Sequence, residues 1–252
     1  MFLAGSALEE GEPRMRLKEA TLLVVDDEPH YREIINGWLE KESRSVLSAE
    51  NGIRALELIQ KEKVDAIVTD IRMPAMDGTE LVKRVKAMGK YTPATVSISG
   101  FSDLTAREAY DLGIEAQLSK PVERKVLISV IRKSLMEREE LWAEPFRPTT
   151  VPTVKLEFES LAAALQKRQI LFGRGGFCYF SRALFREASS IDFELNFAGD
   201  GKLVSLRGIV RWSVPSEQLT GIEITQVRDQ GRAWVAELAR ANETVSFIPR
   251  AT

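Results

Sequence analysis

The chain has 252 residues, 44% of them apolar, with 35 Lys and Arg against 37 Asp and Glu and a formal net charge of −2. At roughly 150 residues per domain that is one or two domains with enough apolar material for packed cores, and the near-neutral balance argues against a dedicated nucleic-acid-binding protein. One cysteine, Cys178, excludes an internal disulfide and a thiolate metal cage, and one histidine, His30, excludes a multi-histidine metal site and argues against His-based triads. No apolar run reaches the roughly 18 residues of a membrane span. The start, M-F-L-A-G-S-A-L-E-E-G-E, lacks the basic segment and long apolar stretch of a secretory signal. A cytoplasmic protein without membrane insertion is expected.

After an N-terminal tail (1–18), residues 19–140 alternate short apolar runs with helical patterns. T-L-L-V-V (21–25), A-I-V-T (66–69) and A-T-V-S-I-S (94–99) read as buried strands. Between and after them, 33–40, 53–60, 80–87 and 105–112 carry apolar residues at helical spacing. This alternation predicts a doubly wound α/β domain on a five-stranded parallel sheet with right-handed crossovers. A long amphipathic helix is predicted from Val122 to about Trp142. Its Leu127, Ile128, Ile131, Leu135 and Met136 could pair two copies as a homodimer or cover a sheet face.

A linker (141–153) follows, with three prolines in E-P-F-R-P-T-T-V-P-T, semi-extended because proline restrains its predecessor. Beyond it, in 154–252, the period becomes two. V-K-L-E-F-E (154–159), I-D-F-E-L-N-F (191–197), L-V-S-L-R-G-I-V-R-W (203–212) and G-I-E-I-T-Q-V (221–227) read as half-buried strands. Asp-Gly in A-G-D-G-K (198–202) signals a hairpin, and Arg228 to Asn242 a closing amphipathic helix. A small antiparallel β-barrel or sandwich with a C-terminal helix is predicted.

The chemistry sits at strand ends. Asp26 and Asp27 follow the first strand and Asp70 the third, on the carboxyl edge where parallel sheets place their ligand sites. Three carboxylates converging there suit a hard cation such as Mg²⁺. Ser99, after the fourth strand, and Lys120, after the fifth, join the same edge and complete a site for a phosphoryl group. Asp26 and Asp27 alone could also cap the helix near Pro29, Ser99 could cap the next segment, and His30 reads as an ordinary surface residue.

V-V-D-D-E-P (24–29), T-D-I-R-M-P-A-M-D-G (69–78), S-I-S-G (97–100) and L-S-K-P-V (118–122), four motifs in order, resemble the receiver domain of bacterial two-component response regulators. The resemblance implies that Asp70 accepts a phosphoryl group from a histidine kinase or phosphotransfer protein. It implies Mg²⁺ at Asp26, Asp27, Asp70 and the Arg72 backbone carbonyl, pairing of Lys120 with a phosphoryl oxygen, and a switch role for Ser99. The chain departs from the family at Gln117, where an aromatic switch residue is usual. Arg72, two residues after the acceptor, is positioned to govern water access to the phosphoryl group.

The segment L-F-G-R-G-G-F-C-Y-F (171–180) and the strands after it resemble, more faintly, a PilZ domain, many of which bind cyclic di-GMP. The family's ligand motifs, R-x-x-x-R followed by D-x-S-x-x-G, are missing. Arg147 stands alone in the linker, and the second motif reads Leu171, Gly173 and Gly176, of which only the last glycine matches. Leucine cannot replace an aspartate acceptor, and no arginine pair offers guanidinium forks. Lys167, Arg168 and Arg174 could improvise a basic patch, so cyclic di-GMP is a disfavoured alternative; glycines 173, 175 and 176 suit a tight bend. Cys178 reads as a core residue.

The expected function is thus a response regulator, with no enzymatic activity beyond its own phosphorylation and dephosphorylation. Its degenerate PilZ-like domain would act through contacts with an unknown downstream protein. The alternatives are a dual-input cyclic di-GMP receptor and, less favoured for want of a helix-turn-helix, a DNA-binding regulator.

Overall fold

The computed structural model describes residues 17–89, 92–100, 104–136, 138–143, 150–180, 185–241 and 247–249. Most of the N-terminal tail, and Arg147 with residues 144–149 of the linker, lie outside them.

The first half is a parallel sheet of β1 (Thr21–Val25), β2 (Ser45–Ala49), β3 (Ala66–Asp70), β4 (Ala94–Ser99) and β5 (Ala116–Ser119), in the order β2-β1-β3-β4-β5. The helices are α1 (Pro29–Leu39), α2 (Gly52–Ile59), α3 (Gly78–Ala87), α4 (Ala106–Asp111) and α5 (Arg124–Leu135). The apolar runs are continuous because both faces are covered. Leu22 and Val24 pack with Ile35 and Leu39 of α1 and Leu127 and Ile131 of α5, while Leu23 and Val25 pack with Ala55 of α2 and Leu81 and Val85 of α3. Short polar side chains start α2, α3 and α4, where they satisfy unpaired N–H groups of the first turn. Asn51 accepts from Arg54 N–H (2.9 Å) and Asp77 from Glu80 N–H (2.8 Å), and Thr105 with Glu108 forms a capping box on α4. Leu127, Ile131 and Leu135 are buried against the sheet, the second of the two uses open to that stripe.

The predicted helix 122–142 breaks. Met136 is extended (ψ 147°), and a separate turn, α6 (Arg138–Leu141), follows. Trp142 is buried in the second core, with its indole N–H donating to the Ile224 carbonyl at 3.0 Å. The second domain therefore begins before the prolines, because Leu141 and Trp142 belong to its apolar cluster.

That domain is a six-stranded sheet of mixed direction, and among the described residues it does not close into the expected antiparallel barrel. β6 (Thr153–Phe158), β7 (Ile170–Phe172), β8 (Gly176–Phe180), β9 (Ser190–Phe197), β10 (Lys202–Val214) and β11 (Leu219–Val227) lie in the order β6-β9-β10-β11-β8-β7. β6 runs parallel to β9 and the other neighbours are antiparallel. Among the described residues no ladder joins β6 to β7. Parallel pairing needs a crossover, and α7 (Leu161–Gln166), absent from the sequence reading, lies on that path. The glycine-rich segment 171–180 spans two strands with a tight turn between them, Gly173 N–H donating to the Gly176 carbonyl at 2.8 Å. The expected hairpin joins β9 to β10 through a 3₁₀ turn with Gly201 left-handed (φ 59°). α8 (Asp229–Ala241) packs Val235, Ala236 and Ala239 onto Phe177, Phe193, Leu206 and Ile222. Cys178 is buried.

Candidate phosphoryl-acceptor site

Parallel register assembles the site. Asp26 N–H donates to the Ala49 carbonyl at 3.2 Å, Asp70 pairs with Ile98, and Ser99 with Ser119. The last residues of β1, β3, β4 and β5 thus line one edge. The β3–α3 turn closes tightly: a Cβ on Gly78 would lie 2.0 Å from the Asp70 carbonyl oxygen, so only glycine fits after Asp77.

Asp26, Asp27 and Asp70 each place a carboxylate oxygen within 4.8 Å of the others. Asp26 and Asp70 are buried and Asp27 is exposed. Asp26 Oδ1 accepts from Glu28 N–H (2.8 Å) and Asp70 Oδ1 from Arg72 N–H (3.1 Å), fixing both carboxylates. Lys120 Nζ reaches Asp70 Oδ2 at 2.6 Å and Asp26 Oδ2 and Glu28 Oε1 at 3.1 Å each; the peptide bond from Lys120 to Pro121 is cis. Burial lowers the pKa of Lys120, but its bonds to Asp70, Asp26 and Glu28 outweigh that and hold the ammonium charged well above its ordinary range. Burial pushes the Asp26 carboxyl up, against the Glu28 N–H and Lys120, with Asp70 adding to the rise. Ser99 is buried at the end of β4, where its carbonyl accepts from Lys120 N–H at 2.8 Å. An open cleft of about 510 Å³ adjoins the aspartates, lined by Asp27, Ile71, Arg72, Met73, Pro74, Asp77 and Thr79.

The structure therefore brings together Asp26, Asp27, Asp70, Ser99 and Lys120, and puts Arg72 on the cleft wall. The alternative role of Asp26 and Asp27 as helix caps is not what is seen, since the residue before α1 is Glu28 and its side chain makes no cap bond. His30 is exposed. Three contacts escaped the sequence reading. Glu28 is a third carboxylate on Lys120; the Tyr31 ring lies 4.5 Å from Lys120 Nζ; and Arg32 donates from its guanidinium to the Asp26 carbonyl. Only Glu28 had a signal, the unbroken D-D-E run. Gln117, at the expected aromatic position, donates from Nε2 to the Leu104 carbonyl at 2.9 Å and so ties β5 to the start of α4.

The basic patch does not form. Arg174 is buried, its guanidinium 2.6 Å from Glu115 Oε1 and also donating to the Gly113 carbonyl. Lys167 bonds to Glu159 at 2.9 Å, and Arg168 is exposed in a left-handed turn (φ 53°). Arg174 is thus corrected from nucleotide-ligand candidate to interdomain ion-pair partner.

Residues 22–132 match the family model described as the response regulator receiver domain. The chain is 34% identical over 119 residues to an uncharacterized 14.6 kDa protein of Leptolyngbya boryana, covering 46% of this chain and 91% of that one. It is 29% identical over 115 residues to sporulation initiation phosphotransferase F of Bacillus subtilis, covering 45% and 92%. Against transcriptional regulatory protein GlrR of Escherichia coli it is 32% identical over 134 residues, 52% of this chain but only 30% of that protein's length. Through its N-terminal half the chain belongs to the response regulator receiver family.

Proposed function

We propose that Asp70 is the phosphoacceptor of a two-component phosphorelay, supplied by a histidine kinase or a phosphotransfer protein. One Asp70 carboxylate oxygen attacks the phosphorus of a phosphohistidine. The P–N bond breaks, the imidazole keeps the electron pair and takes up a proton, and Asp70 carries an acyl phosphate. Water later attacks phosphorus, releasing inorganic phosphate and restoring the carboxylate. The Lys120 ammonium, already on Asp70 and Asp26, pairs with the incoming phosphoryl oxygens. Ser99 supplies the hydroxyl that reads the modified state. The Lys120 ammonium by itself does not neutralise four carboxylates, and the all-oxygen donor set fits a hard cation. Asp26, Asp27, Asp70 and the Arg72 carbonyl would hold Mg²⁺, which supplies charge neutralisation to the phosphoryl oxygens when bound.

The observation that carries this reading is the 2.6 Å contact between Lys120 and Asp70 within the aspartate cluster. We read the second domain as a PilZ-like output module that works through protein contacts, without the nucleotide grip, since Arg174 is spent on Glu115. We assign the chain no reaction beyond its own phosphorylation and dephosphorylation, and place it in the cytoplasm; no described helix is long and apolar enough to cross a membrane. Intact-mass measurement with a small phosphodonor and Mg²⁺ tests the reading. One phosphoryl adduct on wild type and none on Asp70→Asn supports it, and no adduct on wild type refutes it.

A further inference from the structure

The mixed sheet of the second domain ends at β7 on one side and at β6 on the other. β7 has three residues, a short edge that offers an incoming strand little to pair with. β6 has six, T-V-K-L-E-F from Thr153 to Phe158.

The backbone of β6 sorts by parity. Asp192 N–H donates to the Pro152 carbonyl at 2.9 Å, which starts the parallel ladder on β9. Successive residues of a strand turn their N–H and C=O groups to opposite sides. Val154, Leu156 and Phe158 therefore bond to β9, while Thr153, Lys155 and Glu157 turn theirs to the open edge. Among the described residues no backbone group pairs with those three along that edge.

The side chains sort the same way. Lys155 lies 2.8 Å from Glu194, and Glu157 accepts from Asn196 Nδ2 at 2.6 Å, yet both stay exposed on the outer face. Val154 and Leu156 pack against the core but are only half-buried, since β6 has no described strand on its open side.

This segment is its own complement. When a second β6 runs antiparallel to the first, centred on Leu156, Lys155 of each copy faces Glu157 of the other. Those residues carry the outward backbone groups, so each pair exchanges two hydrogen bonds, about four in all. On the core side Leu156 meets Leu156 and Val154 meets Phe158, which covers the half-exposed apolar side chains. Moving the centre by one residue sets Lys155 against Lys155 or Glu157 against Glu157, and like charges directly opposite repel. Parity and charge thus select one register. An edge lysine ordinarily guards against foreign strands; here the glutamate two places on admits a copy of the same strand.

We propose that β6 is a homodimerisation edge, at which two copies of the chain join their sheets antiparallel about Leu156. A single strand pair is at the small end of interfaces, so the association is weak and concentration-dependent. It is built by the second domain and does not depend on the receiver reading.

Sedimentation equilibrium of the full chain from about 5 to 500 µM tests it, with the wild type expected to pass from monomer toward dimer. Lys155→Glu and Glu157→Lys each convert both cross-strand pairs to like charges and are expected to weaken association about tenfold. An equimolar mixture of the two variants is expected to regain wild-type affinity, because an acidic strand then meets a basic one. The double variant Lys155→Glu with Glu157→Lys is expected to regain it too, and either recovery shows that the single variants fold. Amide exchange at Lys155 and Glu157 is expected to slow as concentration rises, while Val154 and Leu156, already bonded to β9, keep their rates. A chain that stays monomeric throughout, a dimer indifferent to both reversals, or loss in the single variants without recovery in the mixture overturns the proposal.

Discussion

The Lys120 ammonium lies 2.6 Å from the carboxylate of Asp70, fifty positions away in the chain, because β3 and β5 deliver their carboxyl ends to one edge of a parallel sheet. The same ammonium is 3.1 Å from Asp26, so a single cation holds two buried carboxylates that otherwise repel. Removing it leaves them unpaired. Lys120→Ala is expected to slow adduct formation by roughly 10- to 100-fold, the loss of one charge-assisted bond worth about 1.5–3 kcal/mol. Time-resolved intact mass checks it, and an unchanged rate shows that Lys120 does not assist transfer.

Arg72 lines the cleft beside Asp27, and its N–H anchors Asp70. Arg72→Ala keeps the backbone anchor on Asp70 and removes only the side chain from the cleft wall, which opens the approach of water to a phosphoryl group there. The adduct half-life is expected to shorten by roughly fivefold, about 1 kcal/mol off the hydrolysis barrier. Dephosphorylation after donor removal measures it; an unaltered half-life removes Arg72 from the account.

Glu115 gives its interdomain ion pair with Arg174 a pH dependence. Burial pushes its carboxyl up, but Arg174, Lys86, the Thr95 N–H and Arg138 outweigh burial and hold it below its ordinary value of 4.5. With the folded pKa depressed, its contribution to stability is fully present above about pH 4.5. It is lost as pH falls through the lower, folded value. Glu115→Gln is expected to flatten that acid limb of the thermal-unfolding profile. At neutral pH it is expected to cost about 3–5 kcal/mol, because Arg174 is left buried without its counter-charge. Equal acid sensitivity in both proteins contradicts the assignment.

Gln117 replaces an aromatic residue with a hydrogen bond to the Leu104 carbonyl. Gln117→Leu is expected to cost about 1 kcal/mol of stability. It is also expected to speed amide exchange at the start of α4 while the adduct still forms on Asp70. Unchanged exchange at 104–108 shows that the bond does not hold α4.

Much of the site was legible because its residues follow strands whose apolar runs are unmistakable. Once 21–25, 66–69 and 94–99 are parallel strands, Asp26, Asp70 and Ser99 must share an edge. The Tyr31 contact on Lys120 and the Arg174–Glu115 pair were not legible, since only packing brings those partners together. A run of basic residues, Lys167, Arg168 and Arg174, looks like a surface patch in sequence, whereas the turn between β7 and β8 turns Arg174 onto Glu115. The break at Met136 was hidden because apolar spacing continues across it, from Leu135 to Leu141 and Trp142, into a different core. The parallel β6 was missed because the short L-A-A-A-L-Q helix that permits it carries too little periodicity to register.

Locating the phosphoryl group on the chain tests the central claim most directly. After donor treatment with Mg²⁺, the acyl phosphate is reduced with borohydride and the modified residue mapped by peptide mass spectrometry. The account predicts a single modification at Asp70, absent when Asp70 is asparagine. A modification at another residue, or one that persists in Asp70→Asn, contradicts it.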